Sequence, residues 1–291
     1  MKSPHKTLAT ILLLILIIAP FAGNAIHRNC IAKIKSVSFS IAAFHDTIPP
    51  ASPNRLIKVL ELRNYVIKPG QRENFTQLFE SHFIQSQHDA GSYVLGQYRI
   101  KDDDNHFFWI RGFTDMPSRK KALNDFYYGP VWKQYRTAAN PMLVNNDNVN
   151  LLKPLNIANP ANDQSFAFNT EWFENQQGIA VVDYYISNTK LAQLIEFVRK
   201  TYAPALDKAG IKKASFWVSE LAENDFPQLP VFQDKDLLVQ ITFYKSESDY
   251  QAKINAVTAS LSDEQKATLA DLVTLTHSMV VYPTENTKHG K

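Results

Sequence analysis

The chain has 291 residues and a mass of 33.1 kDa, with 45% hydrophobic and 20% charged residues, enough for about two globular domains. A net charge of +3 and a pI of about 8.7 are too mild to mark a nucleic-acid partner, and no basic run is interleaved with aromatic residues. One cysteine, Cys30, excludes an intrachain disulfide and every cysteine-rich metal pattern.

The N-terminus carries the three-part pattern of a secretory signal. Lys2 and Lys6 precede an apolar run, Leu8 to Ala19, broken only by Thr10; Pro20 and the small-residue site Gly23-Asn24-Ala25 follow. The run is shorter than the ~20 apolar residues that span a bilayer comfortably. Export to the periplasm or medium is expected, with cleavage after Ala25 or at a second site, Ser40-Ile41-Ala42. An uncleaved anchor is the alternative, and only then is the membrane a partner. Arg28-Asn29 before Cys30 lacks the small residue of a lipoprotein signal. Residues 26–55, with Pro49-Pro50-Ala51-Ser52-Pro53, read as a flexible leader.

A first folded unit is expected over residues 56–154. Leu56 to Ile67 reads as a strand with Leu60, Leu62 and Val66 on one side and Glu61, Arg63 and Tyr65 on the other. After Lys68-Pro69-Gly70 comes a helix with the stripe Phe75, Leu78, Phe79 and Phe83, on which His82 also falls. Ala90-Gly91 breaks it. Strands at Val94 to Ile100 and His106 to Phe113 flank a polar turn. Asp115 caps, and Pro117 opens, a helix that runs to Tyr128 and stops at Gly129-Pro130. After a short helical piece, a strand from Val149 is expected to end at Pro154. The order β-α-β-β-α-β is the ferredoxin-like one.

A linker rich in Asn and Pro follows over 155–177, and the order recurs over 178–291. A shift of 119 residues (Gly91 to Gly210) carries Phe75, Leu78, Phe79 and Phe83 onto Leu194, Phe197, Val198 and Tyr202. Strands are expected at Gly178 to Ser187, Ile211 to Glu220, Asp236 to Tyr244 and Thr276 to Tyr282. The loop Asn224 to Pro230 is longer than its counterpart, and Ser246 to Asp249 reads as a capping box. The expected architecture is α+β, with two tandem ferredoxin-like repeats.

Val59-Leu60-Glu61-Leu62-Arg63-Asn64-Tyr65-Val66-Ile67-Lys68-Pro69-Gly70 resembles the opening strand and P-G turn of the NIPSNAP family. Trp109-Ile110-Arg111-Gly112-Phe113 with Pro117-Ser118-Arg119 resembles its aromatic third strand and Ser/Arg helix start. Pro130 to Tyr135 resembles its proline-tryptophan segment. The resemblance covers about 56–154. In the second half Asp183 stands for the Glu and the P-G turn is missing. The resemblance implies an exported bacterial type with a dimeric α/β-barrel architecture, in which two four-stranded sheets face each other. The two repeats would supply both sheets from one chain, or pair between chains of a homodimer. It brings no established catalytic residues. The wider barrel group includes cofactor-free monooxygenases and haem enzymes, so haem enters by fold analogy alone and no cofactor is expected.

If Leu60 and Leu62 take the helix cover, Glu61, Arg63 and Tyr65 face the opposing sheet or a cavity, with Asp183 and Tyr185 as cross-seam neighbours. There Arg63 would hold an anionic or carbonyl end of a ligand, Tyr65 would give a hydrogen bond, and Trp109 an apolar wall. Tyr98, Trp132 and Tyr135 are further aromatic walls; Arg111 and His82 complete the candidates. No histidine has a partner at metal-ligand spacing, so no metal is expected. Nucleophile-elbow, phosphate-loop and dinucleotide fingerprints are missing too. Two readings follow. One is a site for a small apolar or aromatic molecule in the cleft between sheet and helices, with cofactor-independent monooxygenase-like chemistry. The other is a non-catalytic binding or assembly protein whose polar seam is structural.

Overall fold

The computed structural model describes residues 55–159, 161, 165–174, 178–188, 190–285 and 287. The expected signal, or anchor, and nearly all of the leader lie outside the described residues. Strands β1 (Leu56–Ile57) and β2 (Val59–Ile67) come first. Helices α1 (Arg72–Leu78) and α2 (Ile84–Asp89) follow, joined by a π-helical turn over Phe79–Phe83. Strands β3 (Tyr93–Ile100) and β4 (His106–Phe113) precede α3 (Met116–Tyr127) and α4 (Pro130–Ala139). β5 (Leu143–Asn145) and β6 (Val149–Leu155) end the first half. The expected linker holds β7 (Phe168–Asn169) and α5 (Thr170–Glu174). The second half runs β8 (Ile179–Ser187), α6 (Leu191–Phe197), a π turn over Val198–Tyr202, and α7 (Ala203–Lys208). It ends with β9 (Ala214–Ser219), β10 (Leu237–Tyr244), α8 (Glu247–Ser260), α9 (Asp263–Leu272) and β11 (Val273–Pro283). Among the described residues no helix is long and apolar enough to cross a membrane.

The two π turns have a cause in the sequence. Phe75, Phe79, Phe83 and Gln87 recur every four residues and all are buried. That spacing overruns the 3.6-residue α period, so a straight α-helix would carry the stripe off the sheet. The wider π turn returns Phe83 and Gln87 to it. Leu194, Val198, Tyr202 and Leu206 repeat the spacing, and the second π turn lies at the same shift of 119 residues (Phe79 to Val198). Gly91 and Gly210 then turn the chain at φ +90° and +78°, a region side chains disfavour.

Eight strands close into an antiparallel barrel in the order β2-β4-β3-β11-β8-β10-β9-β6, with β6 back on β2; β5 adds outside the ring, on β2. The first half supplies β6-β2-β4-β3 and the second β11-β8-β10-β9. They meet at β3–β11 and β6–β9, so both sheets come from one chain. Pro154 does not end its strand. It pairs opposite Trp217 one residue before the end of β6, where a missing N–H is tolerated. At Ser246 the hydroxyl accepts from Asp249 N–H, but the Asp249 carboxylate takes Lys245 N–H. The complete capping box is instead Ser262 with Gln265, at the start of α9.

Closure decides which face of β2 points inward, and it reverses the expectation. Leu60 and Leu62 face the interior with Phe108, Ile110, Trp217 and Ile241, while Glu61, Arg63 and Tyr65 lie under the helices. An eight-stranded barrel interior is just wide enough for side chains to fill, and it offers charges no partner. The helix face brings polar partners from α2, α3 and the loop after β9. The expected linker also adds to the core: Phe173 is buried, and Phe168 and Trp172 pack on Trp217 and Phe243.

Candidate ligand-binding site

Alternation on β2 puts Glu61, Arg63 and Tyr65 on one outer face, and antiparallel pairing sets Arg111 opposite Glu61 and Trp109 opposite Arg63. Asp115 caps α3 by accepting from Ser118 N–H at 2.7 Å, with Pro117 in the first turn. That start aims Arg119, one turn on, at the sheet. Three guanidiniums therefore converge on one carboxylate. Arg63 Nη1 donates to Glu61 Oε2 at 2.6 Å, Arg111 Nε to the same oxygen at 3.0 Å, and Arg119 Nε to Oε1 at 2.7 Å. Arg111 Nη2 also reaches Oε2. All four side chains are fully buried.

One carboxylate against three guanidiniums leaves two buried positive charges in excess. Asp225, partly exposed, offsets one of them from 3.5 Å. Arg111 is fully engaged, with Nη1 on Gln87 at 3.0 Å. Arg63 gives Nε to the Tyr65 oxygen at 2.9 Å, and Arg119 gives Nη1 to Asn224 at 3.0 Å. Among the described residues each of these two keeps a buried Nη2 without a partner, and the Trp109 indole nitrogen is buried and unpaired too. The guanidiniums of Arg63 and Arg111 lie over the Trp109 ring, at 5.4 and 5.1 Å from its centroid. Burial would raise the Glu61 carboxyl, but Arg111, Arg63 and Arg119 outweigh it and hold it far below the carboxylate range. Burial pushes the Tyr65 phenol up to about 12, against the pull of Arg63, so it keeps its proton at neutral pH.

In front of this cluster lies a cavity of about 530 Å³ between the sheet and the helices of the first half. Tyr65, Gln87, Trp109 and Tyr127 form its inner wall; Phe75, Phe79, Phe83, Phe126 and Trp132 add apolar rings. The loop after β9 covers it from the second half with Phe226, Gln228 and Leu229, and the Phe226 ring lies 5.8 Å from that of Tyr127. Among the described residues no Asp or Glu lines it, whereas Lys133 and Arg136 do.

The candidates divide accordingly. Glu61, Arg63, Tyr65, Trp109 and Arg111 come together. Trp132 joins the wall, but Tyr135 does not line it. His82 stacks on Tyr135 at 3.7 Å, away from the cavity. Tyr98 points into the barrel interior. Asp183 and Tyr185 are not cross-seam neighbours of Glu61: they sit under the second half's own helices, because both polar faces point outward. Asp183 faces Gln240 as Glu61 faces Arg111, and it accepts from Ser278. Burial pushes its carboxyl up to about 6, the Ser278 hydroxyl acting against that, and no described cation pulls it back down. Arg119, Gln87, Tyr127 and Phe226 were not among the candidates. Gln87 had a signal, as the polar member of a four-residue aromatic stripe. Among the described residues no three His, Cys, Asp or Glu side chains cluster as metal ligands.

Residues 60–159 match the NIPSNAP family. No curated protein matches the chain in sequence. A provisionally assigned monooxygenase from Fusobacterium nucleatum superposes with a TM-score of 0.51 at 10% identity, over 78% of this chain and 92% of its own. A second, from Lactobacillus acidophilus, reaches 0.48 at 9% identity, over 78% and 94%. A NIPSNAP-like domain protein from Burkholderia xenovorans is 25% identical over 35% of this chain and 89% of its own, with a TM-score of 0.31. The Fusobacterium protein shares the α+β fold with its closed eight-stranded barrel.

Proposed function

We propose that the chain binds a small aromatic molecule in the first-half cleft between sheet and helices. The observation that carries this is the cavity of about 530 Å³ walled by aromatic rings. Its volume lies within the ~300–1,000 Å³ of small-molecule sites. A seam that only glued two halves together would be filled by side chains, whereas this cleft is open.

The two halves are read as tandem copies of one ferredoxin-like unit, from their matching strand order and π turns. The second copy has Tyr185, Gln240, Tyr250 and Leu206 where the first has Arg63, Arg111, Arg119 and Gln87. It therefore lacks the charge cluster, and its contribution is to close the barrel and lend the covering loop. Oxygenation of an aromatic ring without a cofactor is the reaction to test first. A phenol O–H backed by Arg63 suits a developing oxygen anion. The Fusobacterium protein's provisional assignment points the same way. Haem has little support here: no described His, Cys or Met lines the cleft, and the phenols of Tyr65, Tyr127 and Tyr128 are the lining groups of the remaining ligand type. The signal pattern supports export, with the N-terminal segment cleaved or kept as an anchor. A homodimer would form through surfaces other than the barrel strands, whose edges are paired within the chain.

The test is native mass spectrometry of protein from its own exported fraction, beside an Ala139→Phe variant that fills the cavity. A retained small mass in the first and none in the second is expected. A mass that survives filling would contradict the reading.

A further inference from the structure

We propose that the occupant of this cleft carries a negatively charged oxygen — a carboxylate or an ionised phenol or enol — received by the Tyr65 hydroxyl, with Arg63 and Arg119 supplying charge from behind. The proposal rests on the cleft being a ligand site and adds the chemistry of the ligand. Three independent observations lead to it.

The first is charge. The buried cluster carries a surplus of cations, and buried cations without counter-charge are strongly unfavourable. The second is donors. Among the described residues Arg63 Nη2 and Arg119 Nη2 are buried without acceptors, behind the wall that Tyr65 forms. Tyr65 accepts from Arg63, which leaves its own O–H without an acceptor among the described hydrogen bonds. A buried donor without an acceptor is costly, so an acceptor that reaches the wall is favoured. The third is the approach. Lys133 and Arg136 line the cavity and no described acid does, so the field along the way in attracts an anion.

The arginines have different tasks. Arg111 spends its donors on Glu61 and Gln87, and is structural. Arg63 touches the wall through Tyr65 and is a positioning residue: it fixes the phenol and orients its O–H outward. Tyr65 stays protonated at neutral pH and acts as donor, not base.

The experiment is isothermal titration of the full chain with naphthalene-2-carboxylate and its uncharged carboxamide, which have nearly the same shape. The acid is expected to bind at least tenfold more tightly, with an advantage that shrinks as salt rises. In Tyr65→Phe the acid should lose severalfold more affinity than the carboxamide, whose neutral carbonyl is the weaker acceptor. Arg63→Met should do the same where it folds, and Tyr65→Phe carries the test where it does not. Equal binding of the two probes would overturn the anion proposal and leave the aromatic site standing. Binding of neither would overturn both. A preference for the acid that Tyr65→Phe leaves intact would overturn the assignment of Tyr65.

Discussion

At the scale of the residue, Glu61 is the member on which the others depend. Among the described residues it is the only anion that all three buried arginines share. Glu61→Gln keeps the shape and removes the charge, and should destabilise the fold by about 3–5 kcal/mol, measured by urea unfolding. The carboxyl is held below its unfolded range, so its stabilisation is complete above about pH 5 and is lost as pH falls towards the folded value. Asp183 has the opposite sign. Its folded value of about 6 lies above the unfolded one, so the folded state holds a proton that the unfolded chain releases. Stability should therefore decline between about pH 4 and 6, by on the order of 2–3 kcal/mol. Asp183→Asn should flatten that decline in unfolding curves across the range; an unchanged slope would count against the account. The alternation of Glu61, Arg63 and Tyr65 was legible in the sequence. Their partner Arg119 was not, because α3 brings it 58 residues along the chain, and alternation on one strand says nothing about that.

At the scale of the element, the loop after β9 joins the halves functionally. Asn224 and Asp225 hold Arg119, and Phe226 covers the cavity against Tyr127 and Tyr128. Phe226→Ala should lower stability by about 3 kcal/mol, since it removes a buried ring beside an existing void. It should weaken binding of an aromatic probe more than it changes the circular dichroism. Intact affinity in that variant would show that the loop is not part of the site. The length of this loop was visible as a break in the repeat spacing. Its destination was not, because it packs on the other half. The segment 155–177 read as a linker for a similar reason: Phe173 gives no periodic signal, yet barrel closure leaves an apolar core for it to join.

At the scale of the whole molecule, closure of the barrel fixes the rest. It turns the leucines of β2 inward and the charges of β2 outward, where helices and the second half's loop enclose them. The order of elements could be read from periodicity and turn residues. Closure could not, because it rests on β3–β11 and β6–β9 pairing between segments far apart in the chain. A fragment of residues 55–159 would leave β3 and β6 with open edges. It should associate through them, seen as a dimer or larger species by light scattering; a stable monomer with the intact chain's melting temperature would contradict the account. The central claim is that the first-half cleft receives an anionic aromatic molecule at Tyr65. The most direct measurement is a crystal structure of the full chain with naphthalene-2-carboxylate. The account predicts the rings against Trp109 and the carboxylate in hydrogen-bond contact with the Tyr65 hydroxyl. A carboxylate held only by Lys133 and Arg136 at the rim, with Tyr65 untouched, would contradict it.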